Sequence, residues 1–197
     1  MKHLILASSS PRRSELLSLT LLPFEIYPST LEEKMDLTLS PSRLVESLAE
    51  QKAADVFQSH PNHVILGADT IVSFQNNRLG KPQNKEEAVQ MLNLLSGQTH
   101  EVYTGVCIMD KNQKQLFSVK TSVTFYTLDE EIISWYIGTN EPFDKAGSYG
   151  IQGSGSLLVE KLDGDYFNVV GLPISKVVRV LQDFGFSFTG SVTKTEN

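Results

Sequence analysis

The sequence predicts a mixed α/β domain, a central sheet with helices packed on it. Three observations carry this. Short apolar runs at residues 4–7 (LILA) and 64–72 (VILGADTIV) alternate with stretches whose apolar residues recur at helical spacing. Two of those stretches open on a Ser-Pro pair, Ser10-Pro11 and Ser40-Pro41, the arrangement of an N-cap followed by proline at the first helical position. In the second half, two β-rich segments meet at a short polar turn, which predicts a hairpin and hence antiparallel pairing. The pattern leaves α/β and α+β both open.

In chain order, residues 4–7 read as a strand that ends in Ser8-Ser9-Ser10. Pro11 then opens a helix carrying Glu15, Leu16, Leu17 and Leu19. Residues 24–27 form a second strand. Pro41 opens a longer helix with Val45, Leu48, Ala49, Ala53 and Val56 on one face. Residues 64–72 are a central strand with a polar interruption at Asp69. Residues 85–95 are helical, with Ala88, Met91, Leu92 and Leu95 in a stripe, and Gly97 stops them. Residues 101–109 and 116–127 pair around Asp110-Lys111-Asn112. Thr127-Leu128-Asp129-Glu130 fits a capping box and predicts a helix with Ile132, Ile133 and Tyr136. Residues 157–162 and 166–170 read as strands around Asp163-Gly164-Asp165, and Pro173 opens a last helix striped by Val177, Val178, Leu181 and Phe184. Residues 1–188 are expected to form one domain, and the polar segment 189–197 (TGSVTKTEN) a flexible tail.

Composition excludes several classes. With 17 Lys+Arg against 23 Asp+Glu, the net charge of −6 argues against a nucleic-acid binder, which needs a basic face. No apolar run approaches the ~18 residues of a membrane span, and the first residues lack a signal-peptide core of about 7–15 apolar residues. A single cysteine, Cys107, rules out an intrachain disulfide and reads as an inert buried thiol. These features predict a cytoplasmic protein without membrane or nucleic-acid partners.

Four segments could carry chemistry. Ser8-Ser9-Ser10-Pro11-Arg12-Arg13 lies between a strand and a helix start, where free N–H groups, hydroxyls and two guanidinium forks suit an anion. The bland alternative is a helix cap with two solvated arginines. In Gly67-Ala68-Asp69-Thr70 a carboxylate interrupts an apolar strand. That is costly unless it meets a partner or opens into a cleft, so Asp69 is a candidate base or metal ligand. Gly67 beside it permits close approach of another group. Leu79-Gly80-Lys81-Pro82 resembles the end of a phosphate loop but lacks the spacing of a Walker A motif. The glycine-rich run 144–153 (DKAGSYGIQG) offers Lys145 and Gln152 on a backbone that a ligand could approach closely.

Glu32 and Glu33 could be a solvated pair or supply a metal carboxylate, and Lys52 alone is an exposed helix lysine. His60 and His63 read as surface residues. Arg12, Arg13, Lys52, Lys81 and Lys145 form a basic set that balances the about four charges of a nucleoside triphosphate, with one or two carboxylates left for a Mg²⁺ ion. A cleft can focus such positive charge even in an acidic protein.

The strings LILASSSPRR, LEEK, GADTIV, LGKP, LSGQTHEVYTGV, EPFDKAGSYGIQG and GDYFNVVGLP, spread over residues 4–173, closely resemble the Maf family of nucleoside triphosphate pyrophosphatases. The resemblance implies an elongated inosine-triphosphate-pyrophosphatase-like fold with two lobes around a cleft. It implies hydrolysis of a nucleoside triphosphate to monophosphate and pyrophosphate with a divalent cation, Mg²⁺ or Mn²⁺. On that likeness Asp69 is the proton acceptor, with Lys52 and Lys81 beside it in catalysis. Ser8, Arg13 and Lys145 match substrate positions, and Glu33 or Glu32, with Asp69, the metal carboxylates. Arg12, Thr70 and Gln152 resemble the branch acting on dTTP and UTP. An amide at Gln152 can both donate to and accept from a pyrimidine imide edge, whereas the carboxylate of the 7-methyl-GTP branch only accepts. The likeness also suggests a homodimer. The rival reading is a nucleotide-binding regulator of cell division with little turnover.

Overall fold

The computed structural model describes residues 3–75 and 77–188; the segment 189–197, expected to be a flexible tail, lies outside them. The chain runs β1 (Leu4–Leu6), α1 (Pro11–Ser18), β2 (Phe24–Ile26), α2 (Pro41–Ser59), β3 (Val64–Phe74), β4 (Asn77–Leu79), α3 (Lys85–Leu95), β5 (Thr99–Met109), β6 (Lys114–Phe125) and α4 (Glu130–Gly138). Three 3-10 turns follow at Glu141–Asp144, Ala146–Ser148 and Gly153–Leu158, then β7 (Val159–Asp163), α5 (Tyr166–Val170) and α6 (Ile174–Asp183).

The seven strands form one mixed sheet in the order β2-β1-β3-β5-β6-β7, with β4 added to β3. β1 runs parallel to both β2 and β3, and the β3-β5-β6-β7 ladder is antiparallel. The fold class is therefore mixed α/β, as the alternation of periods predicts.

Helix α2 covers one face. Its buried Leu44, Val45, Leu48, Ala49, Ala53 and Val56 pack over Ile5, Ile65, Ile71 and Cys107. The packing is unusually close: a Cβ on Gly67 would lie 2.4 Å from the Ala49 carbonyl oxygen, and one on Gly105 2.2 Å from that of Val45. Bare backbone at Gly67 and Gly105 lets the helix sink onto β3 and β5.

The opposite face carries two apolar cores. One gathers Leu66 and Val106 with α1 and α6; the other gathers Val72, Val102 and Phe125 with α3 and α4. They sit at opposite ends of the long strand β3, and Asp69 and Thr70 fall between them.

The edge of β3 toward β1 shows why. β1 pairs with Val64, Ile65 and Leu66, and β4 pairs with Val72, Ser73 and Phe74. Among the described residues no strand lies along residues 67–71 on that side, so the sheet has a notch there. In a strand, side chains alternate between faces. At a notch, neighbours from both faces can reach one opening.

Three local expectations are corrected. Residues 166–170 form helix α5 and not a strand: the Asp165 carboxylate caps it by accepting from the Phe167 N–H at 2.8 Å, and Gly171 at φ 125° ends it. A short apolar run does not distinguish the two states by periodicity. Helix α4 is capped by Asp129, whose side chain accepts from the Ile132 N–H at 2.8 Å, and not by Thr127. The strand expected at 157 begins at Val159, after the turn Gly153–Leu158. No helix among the described residues is long and apolar enough to cross a membrane.

Candidate active site

The notch opens into a cleft of about 670 Å³. Its walls include Ser8, Arg12, Arg13, Glu33, Lys52, Asp69, Thr70, Lys81, Lys145 and Gln152, so residues scattered over the chain come together. Glu32 is exposed and does not line the cleft; Glu33 does.

Asp69 points to the α2 face of β3, where the close approach over Gly67 brings Lys52 down to it. Lys52 Nζ lies 2.5 Å from Asp69 Oδ1 and 3.0 Å from Glu33 Oε1. Both Lys52 and Asp69 are largely buried, so their attraction is less screened than a surface pair. Lys52 is thus not the solvated helix lysine that its position alone suggests.

Glu33 sits in the long connection between β2 and α2, which is tied at three points. Asp55 Oδ2 accepts from Ser29 Oγ and from the Thr30 N–H. Gln51 makes two bonds to the Lys34 main chain. The Arg78 guanidinium donates to the Leu37 and Leu39 carbonyls.

Arg13 occupies the other side of the notch. Its Nε donates to the Gly171 carbonyl at 2.9 Å, one terminal nitrogen to Ser8 Oγ at 3.2 Å and the other to Thr70 Oγ1 at 3.1 Å. The guanidinium is fixed on three sides, which excludes a freely solvated arginine. Burial pulls its pKa below the ordinary value and the nearby Asp69 charge opposes that pull, but an arginine stays cationic.

Ser8 Oγ also accepts from the Ser10 N–H at 3.2 Å. With two N–H donors on its lone pairs, the Ser8 hydroxyl proton is left to donate into the cleft, as an anion requires. Ser10 holds the N-cap position of α1 without a side-chain cap, and its own N–H is bonded to Ser8 Oγ.

The rim opposite is the run 144–153. Asp144, which sequence reasoning did not single out, pairs with Arg12 at 3.2 Å and with Lys145 at 2.6 Å. Partial burial works to raise the pKa of its carboxyl, but Lys145 and Arg12 together hold it below the usual range. Lys145 Nζ also donates to the Glu141 carbonyl at 2.7 Å. The Glu141 carboxylate in turn accepts from the Ser154 and Gly155 N–H groups at 3.0 and 3.3 Å. Lys81 is carried on a loop whose Gly80 carbonyl accepts from the Gly147 N–H at 3.0 Å. Among the described residues Lys81 has no carboxylate partner.

Asp69 and Glu33 are the carboxylates available to a cation. Among the described residues no group of three or more His, Cys, Asp or Glu could hold a metal ion by itself. Two carboxylates completed by ligand phosphates is the usual donor set for Mg²⁺, so the residues present fit it.

The chain resembles proteins already described. It is 54% identical over 189 residues to a Bacillus cereus protein named dTTP/UTP pyrophosphatase, covering 96% of this chain and 99% of that one. It is 55% identical over 187 residues to a Bacillus pumilus protein of the same name, covering 95% and 99%. Among solved structures, the Staphylococcus aureus Ham1 protein superposes with a TM-score of 0.53 at 14% identity, covering 93% of this chain and 97% of that one, which supports the fold alone. The sequence model described as Maf-like protein matches residues 3–184, and on that match and these identities the chain belongs to the Maf family.

Proposed function

We propose that this protein is a nucleoside triphosphate pyrophosphatase that hydrolyses dTTP and UTP to the monophosphate and pyrophosphate. The observation that carries the proposal is the pairing of Lys52 with both Asp69 and Glu33 in a cleft also walled by Arg12, Arg13, Lys81 and Lys145. The names of the close relatives supply the substrate class.

Asp69 accepts the proton of the water that attacks the α-phosphorus. The bond from that phosphorus to the bridging oxygen breaks, and pyrophosphate leaves. Arg13, already fixed on three sides, offers its guanidinium to phosphate oxygens with no reorganisation at the moment of reaction. Ser8 donates its free hydroxyl proton to the same chain of oxygens. Lys52 and Lys81 neutralise charge building on the leaving pyrophosphate. Glu33 and Asp69, and not Glu32, would hold a divalent cation, Mg²⁺ or Mn²⁺. When bound, that cation adds positive charge against the phosphate oxygens. Arg12, Thr70, Lys145 and Gln152 line the remainder of the cleft, with the Gln152 amide able to donate to a carbonyl of the base. The free, buried Cys107 is in keeping with a cytoplasmic location. A homodimer is also proposed, and light scattering of the purified chain tests it.

The test of the activity is direct. The protein is incubated with dTTP, UTP, CTP and 7-methyl-GTP at saturating Mg²⁺, and monophosphate and pyrophosphate are resolved by chromatography. Preferential conversion of dTTP and UTP is expected. Preference for 7-methyl-GTP overturns the substrate assignment, and tight nucleotide binding without pyrophosphate release favours a regulator over an enzyme.

A further inference from the structure

Thr104 lies on β5, directly across from Thr70 of β3 in the ladder, and is fully buried beneath the cleft wall. Its Oγ1 is 2.9 Å from Thr70 Oγ1 and 2.9 Å from the Asn168 carbonyl oxygen. A hydroxyl has one proton, and a carbonyl has none. The Thr104 proton must therefore go to Asn168, since any other placement leaves two oxygens 2.9 Å apart with no proton between them. The bond between the two threonines is then donated by Thr70. Thr70 in turn accepts from Arg13 at 3.1 Å. The chain of bonds has a single direction, from Arg13 to Thr70 to Thr104 to the Asn168 carbonyl.

This leaves Thr70, a wall residue of the cleft, with no proton to give. It presents only a lone pair. Ser8, on the other side of the same guanidinium, has the opposite polarity: both its lone pairs are occupied and its proton is free. An acceptor-only oxygen repels phosphate and attracts an N–H group.

We propose that Thr104 is a positioning residue that sets base selectivity: by taking the Thr70 proton it makes the cleft wall accept the imide N–H of uracil or thymine and reject the unprotonated ring nitrogen that cytosine carries there. The inference rests on the reading of the substrates as dTTP and UTP. Thr104 does not line the cleft and acts through Thr70. The strand and helix that hold it are also fixed: Asn168 Nδ2 donates to the Val102 carbonyl and to Thr121 Oγ1, both at 3.0 Å.

The experiment measures kcat/KM for UTP and CTP with the full chain, Thr104→Val and Thr104→Ser. Valine keeps the shape of threonine and frees the Thr70 proton, which can then be donated to cytosine. The Asn168 carbonyl keeps its other donor, the Gly171 N–H at 3.1 Å. The unsubstituted protein should prefer UTP. Thr104→Val should shrink the UTP-to-CTP ratio by about 10-fold, the size of one misdirected hydrogen bond, and Thr104→Ser should restore it. Thr104→Ala lifts the same restraint and replaces valine if that variant does not fold. Equal losses for both nucleotides would mean a purely structural role or a contact to the shared ribose, and would overturn the inference. So would an unsubstituted protein that uses UTP and CTP alike, while leaving the pyrophosphatase reading standing. Hydrolysis of neither pyrimidine triphosphate nor dTTP would overturn that reading itself.

Discussion

Lys52 Nζ stands between two carboxylates, 2.5 Å from Asp69 Oδ1 and 3.0 Å from Glu33 Oε1. The ammonium pairs with both carboxylates, and the three side chains come from a strand, a helix and a connecting segment. The arrangement ties folding to chemistry, because the helix must pack closely for the trio to form.

Asp69→Asn keeps the shape of the side chain and its bond from Lys52 but removes the base. Turnover of dTTP should fall by about 10²–10⁴-fold, the range for loss of a general base. Circular dichroism and nucleotide binding should stay near those of the parent. Near-normal pyrophosphate release would remove Asp69 from its assigned role.

Glu33 and Glu32 are adjacent in sequence but not in environment. Glu33→Gln should raise the Mg²⁺ concentration needed for half-maximal rate by about 10-fold or more, since one of the two carboxylates is lost. Glu32→Gln should leave that concentration unchanged. Titration of rate against Mg²⁺ for both variants checks the difference, and equal effects would contradict the geometry.

Gly67→Ala places a Cβ 2.4 Å from the Ala49 carbonyl and 2.9 Å from the Ala53 nitrogen, both rigid helix backbone. Overpacking of this kind costs roughly 1–3 kcal/mol, so the urea midpoint should drop. The folded fraction should also turn over more slowly, because relief of the clash lifts α2 and carries Lys52 away from Asp69. Gly138→Ala, with open space around its Cβ at the end of α4, serves as the control and should leave the midpoint unchanged or slightly raised.

His100 is buried against Phe125 and Tyr149, with Nε2 2.7 Å from the Tyr149 hydroxyl. Burial lowers its pKa from 6.5 to about 4. The unfolded chain therefore binds a proton below pH 6.5 that the folded chain refuses until about pH 4. Stability from this group is complete above pH 6.5 and is lost as the pH falls between those values. Between pH 6.5 and pH 5 the loss should be about 2 kcal/mol by linkage. Urea unfolding at both pH values should show that slope in the parent and a flatter one in His100→Gln.

Much of this is legible in the sequence. Helices α2 and α3 announce themselves by period and cap, and β5 and β6 by alternation around a polar turn. The carboxylate at Asp69 stands out because an apolar strand has no use for it. Other features were hidden for physical reasons. Residues 166–170 are too few to reveal a period, so α5 reads as a strand. Asp144 looks like one more surface acid until Arg12, more than a hundred residues away, is brought to it. Thr104 sits among β residues where threonine is ordinary, and only the partner of each oxygen sets it apart. The choice between Glu32 and Glu33 needed the path of a segment that has no regular structure.

The notch in the sheet has one more consequence. Even-numbered residues of β3 direct their main-chain groups toward β1, as the Val64 N–H bonded to the His3 carbonyl and the Leu66 carbonyl bonded to the Ala7 N–H demonstrate. By the same alternation the amide and carbonyl of Ala68 and Thr70 look into the opening. These peptide groups owe their availability to where β1 stops and β4 starts, so exchanging side chains around the rim can retune what enters while leaving this backbone edge in place.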